Sequence, residues 1–245
     1  MSRADEMSGP LPSRWASNVE ALRSAQKPSV GVPFYLRWVN RPLGRRAAAT
    51  AEVMGMSPNQ VTAVSALVSL AGIAVLVGIT APWAGSLAAV LLLVGYVLDS
   101  ADGQLARLQG SGGPAGEWLD HVVDGMRAPL VHVAIAVHLH RTGAPAWAVV
   151  VALVFSVLVS GWFLARVLAE KLAPETSSTT IGSVRGWVDA LVKQPQDPST
   201  TYLLLVVTMV PVVFVVAYTA LFVWHLLICA GSLWRKHRQL QRVRR

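Results

Sequence analysis

Long apolar runs separated by short polar segments dominate the chain from residue 57 to residue 235. About 20 helical residues cross a hydrocarbon core of about 30 Å, so runs of this length predict membrane-spanning helices. One run, Thr201–Trp234, has 34 residues, which is too long for one ordinary span, and we divide it at Pro211. The predicted spans are residues 59–80, 84–107, 117–139, 145–169, 199–212 and 214–234. The pattern therefore predicts an all-α, polytopic membrane protein with six transmembrane helices.

Basic residues fall almost entirely in segments that six spans would place on one side of the membrane. All 21 Lys and Arg residues lie there except Arg141, on the opposite side, and Arg127, within a predicted span. The positive-inside rule then places both termini on the cytoplasmic side of the cell membrane. Anionic lipid head groups account for the formal net charge of +8, which requires no nucleic-acid partner. Arg outnumbers Lys by 17 to 4, a bias that favours a GC-rich bacterial source.

The segments outside the spans differ in composition. Residues 1–30 mix Ser, Pro and charges of both signs without apolar periodicity, so we expect a mobile cytoplasmic tail. Residues 31–56 place aromatic and aliphatic side chains among arginines, which predicts an interfacial, juxtamembrane amphipathic helix. The six-helix membrane domain then covers residues 57–235, and residues 236–245 form a basic C-terminal tail.

Four aspartates interrupt the apolar pattern: Asp99, Asp102, Asp120 and Asp124. A carboxylate at the centre of a membrane helix costs about 2.5 to 3.5 kcal/mol on insertion scales, so the cluster indicates a functional site. The first pair is spaced i, i+3 and the second i, i+4, so each pair shares one helix face. The short turn at residues 110–116 makes the two helices antiparallel neighbours. Both aspartate pairs should therefore lie at the same depth, near one membrane surface. Oxygen ligands without Cys or His at matching spacing suit hard cations such as Mg²⁺ or Mn²⁺.

Small residues and one arginine extend this pattern along the first of the two helices. Gly103 and Ala106 remove side-chain bulk between Asp102 and Arg107. Arg107 lies about one and a half turns beyond Asp102, where a guanidinium can meet an anionic group. We therefore expect a sizeable, negatively charged ligand to lie against this helix.

The spacing of these residues resembles a family signature. D-S-A-D-G-Q-L-A-R at 99–107, eight further residues and G-E-W-L-D-H-V-V-D at 116–124 match D-x2-D-G-x2-A-R-x8-G-x3-D-x3-D of the CDP-alcohol phosphotransferases at all eight fixed positions. S-P-N-Q-V-T at 57–62 resembles the P-N-x-x-T element that opens the first membrane helix in many members. The likeness in helix layout extends over residues 37–238. The chain is identified on these motifs as a member of that family of integral membrane enzymes.

The resemblance implies an activity and a set of roles. It implies transfer of a substituted phosphate from a CDP-linked donor to an alcohol, with release of CMP and with two divalent cations, Mg²⁺ or Mn²⁺, as cofactors. Metal ligands would be Asp99, Asp102 and Asp120, with Asp124 shared between metal contact and deprotonation of the acceptor hydroxyl. The residues implied to hold the CDP group are Asn59, Thr62, Asp102, Gly103, Ala106, Arg107 and Gly116. Six transmembrane helices and a homodimer are also implied.

The donor and the acceptor are less closely defined than the reaction. A site that opens sideways to lipid favours CDP-diacylglycerol as donor, and thus phospholipid biosynthesis. The run Y-L-R-W-V-N-R-P-L-G-R at 35–45 resembles the branch that makes inositol phosphodiesters, which allows CDP-inositol instead. Family acceptors are small polar alcohols or another phospholipid, and the shared motif does not distinguish among them.

One position departs from the family pattern in a way that concerns the acceptor. Many members carry Arg or Lys directly after the fourth aspartate, where this chain has Gly125. Either Arg127 replaces that charge or the acceptor needs less positive charge. The candidate acceptor-binding residues are Arg127, Arg166 and Arg185. Arg166 and Arg185, together with Lys171, can equally bind lipid head groups.

Several of these residues also have a purely structural interpretation. The four aspartates could form an ion-pair network with Arg107 and Arg127, although two cations cannot neutralise four acids. Asn59 and Thr62 could cap the first membrane helix. Glu117 suits a helix start through the helix dipole rather than a metal shell.

A function of another class is a divalent-cation or proton-coupled transporter, because acids within membrane helices also line ion pathways. The four aspartates all lie near one membrane surface, and the outer halves of the predicted spans carry no further acid. A continuous ion path is therefore not predicted. A non-enzymatic lipid scaffold that keeps the motif unused is a further alternative, against which the intact spacing argues.

Overall fold

The computed structural model describes residues 11–25, 32–172, 190 and 193–243, and these residues form helices and no β-strand. In chain order the helices are α1 (Leu11–Ser24), α2 (Arg41–Val53), α3 (Pro58–Gly78), α4 (Ala84–Gln109), α5 (Pro114–Arg141), α6 (Ala146–Leu172), α7 (Pro198–Leu204) and α8 (Pro211–Val243). A π-helical turn lies at Leu36–Asn40, and 3₁₀ turns lie at Gln194–Gln196 and Leu205–Met209. The predicted all-α class is confirmed.

Five of the described helices are long and apolar enough to cross a membrane, namely α3, α4, α5, α6 and α8. They make the chain a multi-pass membrane protein. The predicted fifth span, residues 199–212, corresponds to a shorter apolar stretch, Pro198–Met209, formed by α7 and the 3₁₀ turn that follows it. A stretch of that length falls well below the roughly 20 residues that a perpendicular α-helix needs. The sixth crossing therefore stays a prediction.

The long apolar run near the C-terminus divides where its proline predicts. The backbone of Val210 leaves the helical region, with φ −119° and ψ 83°, and α8 begins at the next residue, Pro211. Proline has no N–H to donate within a helix, but its fixed φ suits the first helical position. The division of the run at Pro211 is thus confirmed.

The N-terminal segment is more ordered than its composition suggests. Residues 11–24 form α1, and the Trp15 Nε1 donates a 3.1 Å hydrogen bond to Thr50 Oγ1 on α2. Leu22 is fully buried in a small cluster with Ala101 and Leu105 of α4. Residues 11–24, predicted as part of a mobile tail, thus form a helix that packs on α2 and α4, and residues 1–10 and 26–31 lie outside the described residues. The mobility of the tail stays a prediction.

The predicted interfacial helix at residues 31–56 contains two elements, the π-helical turn and α2. Its location at a membrane surface stays a prediction. Asn40 ends the turn, is fully buried, and donates from Nδ2 to the Tyr96 carbonyl of α4 at 3.2 Å. This contact places the segment before the first membrane helix against the second one.

The membrane helices enclose a cavity because two of them diverge. Helix α3 packs along both α4 and α5, and α6 packs along α5 and α8. At the α3–α4 contact a Cβ on Gly95 would lie 2.2 Å from Ser69 Oγ, so a larger residue at this position would require the Ser69 side chain to move. Helices α4 and α5 are not among the closely packed helix pairs of the described residues. The space between them is the candidate site.

Candidate active site

A cavity of about 600 Å³ lies among α4, α5 and α6, with the π-helical turn and the start of α7 on its remaining side. All four aspartates predicted from the sequence line it. Three arginines of the prediction line it as well: Arg107, Arg127 and Arg166. The structure thus brings most of the predicted chemistry to one cavity.

The turn between α4 and α5 sets the relative depth of the two aspartate pairs. Gly110 ends α4 with φ 64°, a left-handed conformation that glycine adopts without steric cost. The Ser111 N–H then donates to the Ala106 carbonyl at 3.0 Å, and Pro114 begins α5. The chain therefore reverses direction within a few residues. This reversal brings Asp120 and Asp124 on α5 to about the same depth in the membrane as Asp99 on α4.

Three of the four aspartates converge. Asp99, Asp120 and Asp124 each offer a carboxylate oxygen, and these oxygens all lie within 4.8 Å of one another. Oxygens bound to one Mg²⁺ at about 2.0 to 2.1 Å lie up to about 4.2 Å apart, so a small adjustment suffices for a shared cation. An all-oxygen donor set on two helices fits a hard divalent cation. The predicted convergence is confirmed for these three residues.

Asp102 points to a different partner. Its carboxylate accepts a 2.5 Å hydrogen bond from Thr62 Oγ1 on α3 and another of 2.5 Å from the Gly103 N–H. Asp102 is 5% exposed. It lines the same cavity but is not in the three-carboxylate group, because α3 supplies a hydroxyl that holds it to one side.

Arg127 lies against the converging carboxylates. Its guanidinium donates to Asp99 Oδ1 and to Asp124 Oδ1, and also to Ser65 Oγ at 3.3 Å. Arg127 is buried. One guanidinium supplies a single positive charge, which cannot neutralise three ionised carboxylates, and a bound divalent cation would supply the remaining positive charge.

The residues predicted to hold the nucleotide divide into two sets. Gly103 and Arg107 line the cavity, and a Cβ on Gly103 would lie 3.7 Å from Arg107 Nη1. Asn59, Thr62, Ala106 and Gly116, all of them described, do not line it. Asn59 and Gly116 face each other instead, since a Cβ on Gly116 would lie 3.8 Å from Asn59 Oδ1.

The first membrane helix has its own cap, which settles one structural alternative. Ser57 Oγ accepts from the Gln60 N–H at 3.3 Å, and the Gln60 side chain accepts from the Ser57 N–H at 2.8 Å. This is a capping box. Because Ser57 is the N-cap, the interpretation of Asn59 and Thr62 as the helix cap is wrong.

The cations outside the carboxylate group have separate locations. Arg166 lines the cavity from α6. Lys171 Nζ lies 2.5 Å from Glu117 Oε1, and both side chains are more than half exposed, so this pair adds little stability. Arg185 lies outside the described residues. Of the three predicted acceptor-binding arginines, two therefore line the cavity.

An aromatic ring packs against Gly125, the position at which the chain departs from the family pattern. A Cβ on Gly125 would lie 3.2 Å from Cε1 of Phe163 on α6. This separation is tighter than ordinary van der Waals contact, so a larger side chain requires the Phe163 ring to move. The position that carries a cation in many family members is here closed by an aromatic ring.

One wall of the cavity was not predicted from the sequence. Asp197, at the start of α7, is 3% exposed and accepts from Tyr96 Oη at 3.0 Å. The Ser199 N–H and Oγ donate to the other Asp197 oxygen at 2.9 and 2.5 Å. Burial raises the pKa of the Asp197 carboxyl, and the hydrogen bonds from Ser199 oppose that rise. Asp before Pro and an apolar run is a sequence signal for a helix cap, and Asp197 has this role.

Two histidines line the cavity beyond Arg127. His132 Nδ1 lies 2.6 Å from Tyr218 Oη, and His225 Nδ1 lies 3.0 Å from the Leu221 carbonyl. The His132 ring also packs on Phe155, with centroids 4.1 Å apart. These contacts are those of packed, hydrogen-bonded core residues, so we assign them no chemistry.

Comparison with known proteins bears on the whole membrane domain. Residues 55–234 match the family model described as CDP-alcohol phosphatidyltransferase. No curated protein matches the chain. The family match covers all four aspartates, Arg127 and Asp197, and the resemblance seen in the sequence is confirmed.

Proposed function

The chain belongs to the CDP-alcohol phosphatidyltransferase family, whose members transfer a phosphate-linked group from a CDP-alcohol to an acceptor. From this premise we propose that it transfers the phosphatidyl group of CDP-diacylglycerol to a small polar alcohol, with release of CMP, in phospholipid biosynthesis. The convergence of Asp99, Asp120 and Asp124 in a cavity between membrane helices is the observation that carries this proposal.

The carboxylates would hold two divalent cations, Mg²⁺ or Mn²⁺. Asp99, Asp120 and Asp124 supply oxygens from two helices, and Asp102 would join them through a lone pair that Thr62 and Gly103 leave unused. Bound there, the cations would supply Lewis acidity to the diphosphate and stabilise the leaving oxygen of CMP. The three converging carboxylate oxygens support this role.

Asp124 is proposed to take the proton of the acceptor hydroxyl. The new bond forms between the acceptor oxygen and the β-phosphorus that carries diacylglycerol, and the bond from that phosphorus to the bridging oxygen breaks, so CMP leaves with the electron pair. Asp124 is the most exposed partner of Arg127, with 37% of its side chain accessible against 12% for Asp99. An acceptor hydroxyl can reach this accessible carboxylate, which would act as the general base.

The nucleotide would lie along the cytoplasmic ends of α4 and α5. Gly103 leaves space beside the Arg107 guanidinium, which suits a phosphate of the CDP group. Gly116 and Asn59 face each other at the start of α5 and α3, and Ala106 adds little bulk. Thr62 acts through Asp102. We propose these residues as the CDP subsite, with both termini of the chain in the cytoplasm and a homodimer as the assembly.

The acceptor would meet positive charge at the cavity wall. Arg166 lines the cavity and is the better placed of the two described candidates, because Arg127 already donates to two carboxylates and a serine. Arg185 is retained as a candidate on the sequence alone. Replacing Arg166 with Ala should raise the acceptor KM about 10 to 150-fold if it binds a phosphate on the acceptor.

CDP-inositol is the second candidate donor. The run at 35–45 that resembles the inositol branch forms the π-helical turn and the start of α2, and Leu36, Asn40 and Arg41 line the cavity. Supplying purified protein with CDP-diacylglycerol or CDP-inositol, each with Mn²⁺ and a panel of alcohols, separates the two. We expect CMP release with CDP-diacylglycerol. Release with CDP-inositol alone would replace the proposed donor, and uptake of cations by proteoliposomes without CMP release would favour a transporter.

A further inference from the structure

A second polar wall lines the cavity beside the aspartates, and none of its residues belongs to the shared motif. We infer that Asn40, Tyr96 and Asp197 bind the acceptor alcohol through its non-reacting hydrogen-bond donors, either hydroxyl or ammonium groups. This inference rests on the proposed function and narrows its acceptor to a class.

The three residues form one connected group beside the reaction site. Tyr96 lies three residues before Asp99 on α4, so the two side chains share a helix face about one turn apart. Asn40 Nδ2 donates to the Tyr96 carbonyl at 3.2 Å, and Tyr96 Oη donates to Asp197 at 3.0 Å. All three line the cavity that the aspartates line.

Two chain segments distant in sequence are joined to build this wall. The Tyr35 N–H, at the π-helical turn, donates to Gln194 Oε1 at 2.7 Å. Gln194 Nε2 in turn donates to Thr200 Oγ1 on α7 at 3.1 Å. The segment before α2 and the segment before α7 are thus held together, and each supplies one of the residues, Asn40 and Asp197, that contact Tyr96.

Asn40 leaves an acceptor without a donor. The residue is fully buried, and its Oδ1 has no hydrogen-bond partner among the described residues. The other atom of the amide donates to a carbonyl, so it must be the nitrogen, and the orientation of the amide is fixed. A buried carbonyl oxygen without a partner is unfavourable, and a bound hydroxyl or ammonium group would satisfy it.

The wall as a whole presents acceptors. Tyr96 uses its only hydroxyl proton on Asp197, so its oxygen can meet a ligand only as an acceptor. The Asp197 oxygen that receives this bond has a second lone pair, whereas the other oxygen already accepts twice from Ser199. Acceptor atoms from three residues that line one cavity suit a molecule that carries several N–H or O–H groups.

The positive charge of two arginines in the cavity is compatible with a phosphate group on the acceptor alcohol. Arg41 and Arg166 also line the cavity, and burial lowers the pKa of the Arg41 guanidinium without neutralising it. The inferred contacts concern the hydroxyl or ammonium groups and apply whether or not the acceptor is phosphorylated. Choline has one hydroxyl and no other donor, so the wall should reject it.

The first experiment identifies the acceptor class with the unmodified full-length protein. CMP release from CDP-diacylglycerol with Mn²⁺ is measured with myo-inositol, glycerol, their phosphate monoesters, serine and choline. We expect at least one alcohol with further donors to be used and choline to give no release above background. Use of the inositol and glycerol compounds identifies hydroxyl groups as the recognised donors, and use of serine identifies the ammonium group.

The second experiment removes single contacts. Tyr96→Phe and Asn40→Leu should each raise the KM of the accepted alcohol by roughly tenfold, because each variant loses one hydrogen bond to the alcohol. The KM of CDP-diacylglycerol should stay within about twofold of the value for the unmodified protein. Tyr218→Phe is the matched control, because its hydroxyl is buried against His132 and does not line the cavity. The unchanged donor KM also reports that the variants fold.

The outcomes separate the inference from the function on which it rests. Release of no CMP with any alcohol would overturn the proposed function and the inference together. Turnover by the unmodified protein with an unchanged acceptor KM in both variants would overturn the inference alone, as would efficient use of choline. If Asn40→Leu does not fold, Tyr96→Phe decides, since it removes one oxygen and leaves the Asn40 contact to the Tyr96 backbone in place.

Discussion

Thr62 donates a 2.5 Å hydrogen bond from Oγ1 to the Asp102 carboxylate, and both residues are buried. The bond joins α3 to α4 at the level of the site. The Asp102 carboxylate lies outside the group formed by the three converging carboxylates, and this bond from the neighbouring helix helps to hold it there.

Replacing Thr62 with Val should weaken the reaction by removing this donor. A hydrogen bond to a charged group contributes about 1.5 to 3 kcal/mol, so we expect kcat/KM to fall about 10 to 150-fold. Thr62→Ser keeps the hydroxyl and should keep most of the activity. Equal activity of the Val and Ser variants would mean that the bond has no part in catalysis.

The roles of the converging aspartates can be separated by metal titration. Asp99→Asn and Asp120→Asn should lose Mn²⁺ activation and turnover together, since each removes an anionic ligand. Asp124→Asn should keep more of the metal affinity and lose turnover by about 10² to 10⁴, the usual contribution of a general base. Activity against Mn²⁺ concentration measures both quantities. An equal loss of metal affinity in all three variants would assign Asp124 to metal binding alone.

Arg127 is expected to act as the counterion of the carboxylates when no metal is bound. Removing one partner of a buried ion pair typically costs about 3 to 5 kcal/mol, so Arg127→Gln should unfold at a lower temperature than the unmodified protein in chelator. Mn²⁺ should restore more stability to the variant than to the unmodified protein, because both cations use Asp99 and Asp124. Thermal unfolding with and without Mn²⁺ measures the difference.

Arg166→Gln is the control for this measurement, since Arg166 lines the cavity but has no ion pair among the residues that the structure describes. Its stability in chelator should match that of the unmodified protein. If Arg127→Gln leaves stability unchanged and raises only the acceptor KM, then Arg127 binds the acceptor and is not the counterion.

Leu22 should anchor α1 to the back of the motif helix. It is fully buried in the apolar cluster that also contains Ala101 and Leu105, which flank Asp102 along α4. Leu22→Ala should remove about 2 to 5 kcal/mol of the packing free energy that holds α1 in place. Helix α1 should then be released, with faster hydrogen exchange at residues 11–24 and little change elsewhere. Arg23→Ala, at an exposed neighbour, should leave exchange unchanged. Slow exchange in the Leu22 variant would show that α1 is held by other contacts.

The membrane helices and the carboxylate group were predictable because they depend on short-range rules. Helical periodicity places Asp120 and Asp124 on one face, and the short turn after Gly110 makes the two helices antiparallel. A proline within an apolar run marks a helix start, as Pro211 does. These features need no knowledge of how the other helices pack.

The remaining features depend on contacts between distant parts of the chain. Asn40 meets Tyr96 across 56 residues, and Tyr96 meets Asp197 across 101 residues. Neither contact leaves a periodic signal in the sequence. Asp197 by itself indicates only a helix cap, and a single buried leucine at position 22 does not distinguish a packed helix from a polar tail. The second wall of the cavity therefore emerged only from the structure.

The central claim is that the aspartate group catalyses metal-dependent transfer from a CDP-linked donor. Its most direct test is the amount of CMP that purified, full-length protein releases from CDP-diacylglycerol and an accepted alcohol in detergent micelles, before and after chelation. We predict that CMP release stops in chelator, that Mg²⁺ or Mn²⁺ restores it and that Ca²⁺ does not, because the looser coordination of Ca²⁺ suits phosphoryl transfer poorly. Undiminished CMP release in chelator, or undiminished release by Asp120→Asn, would contradict the account.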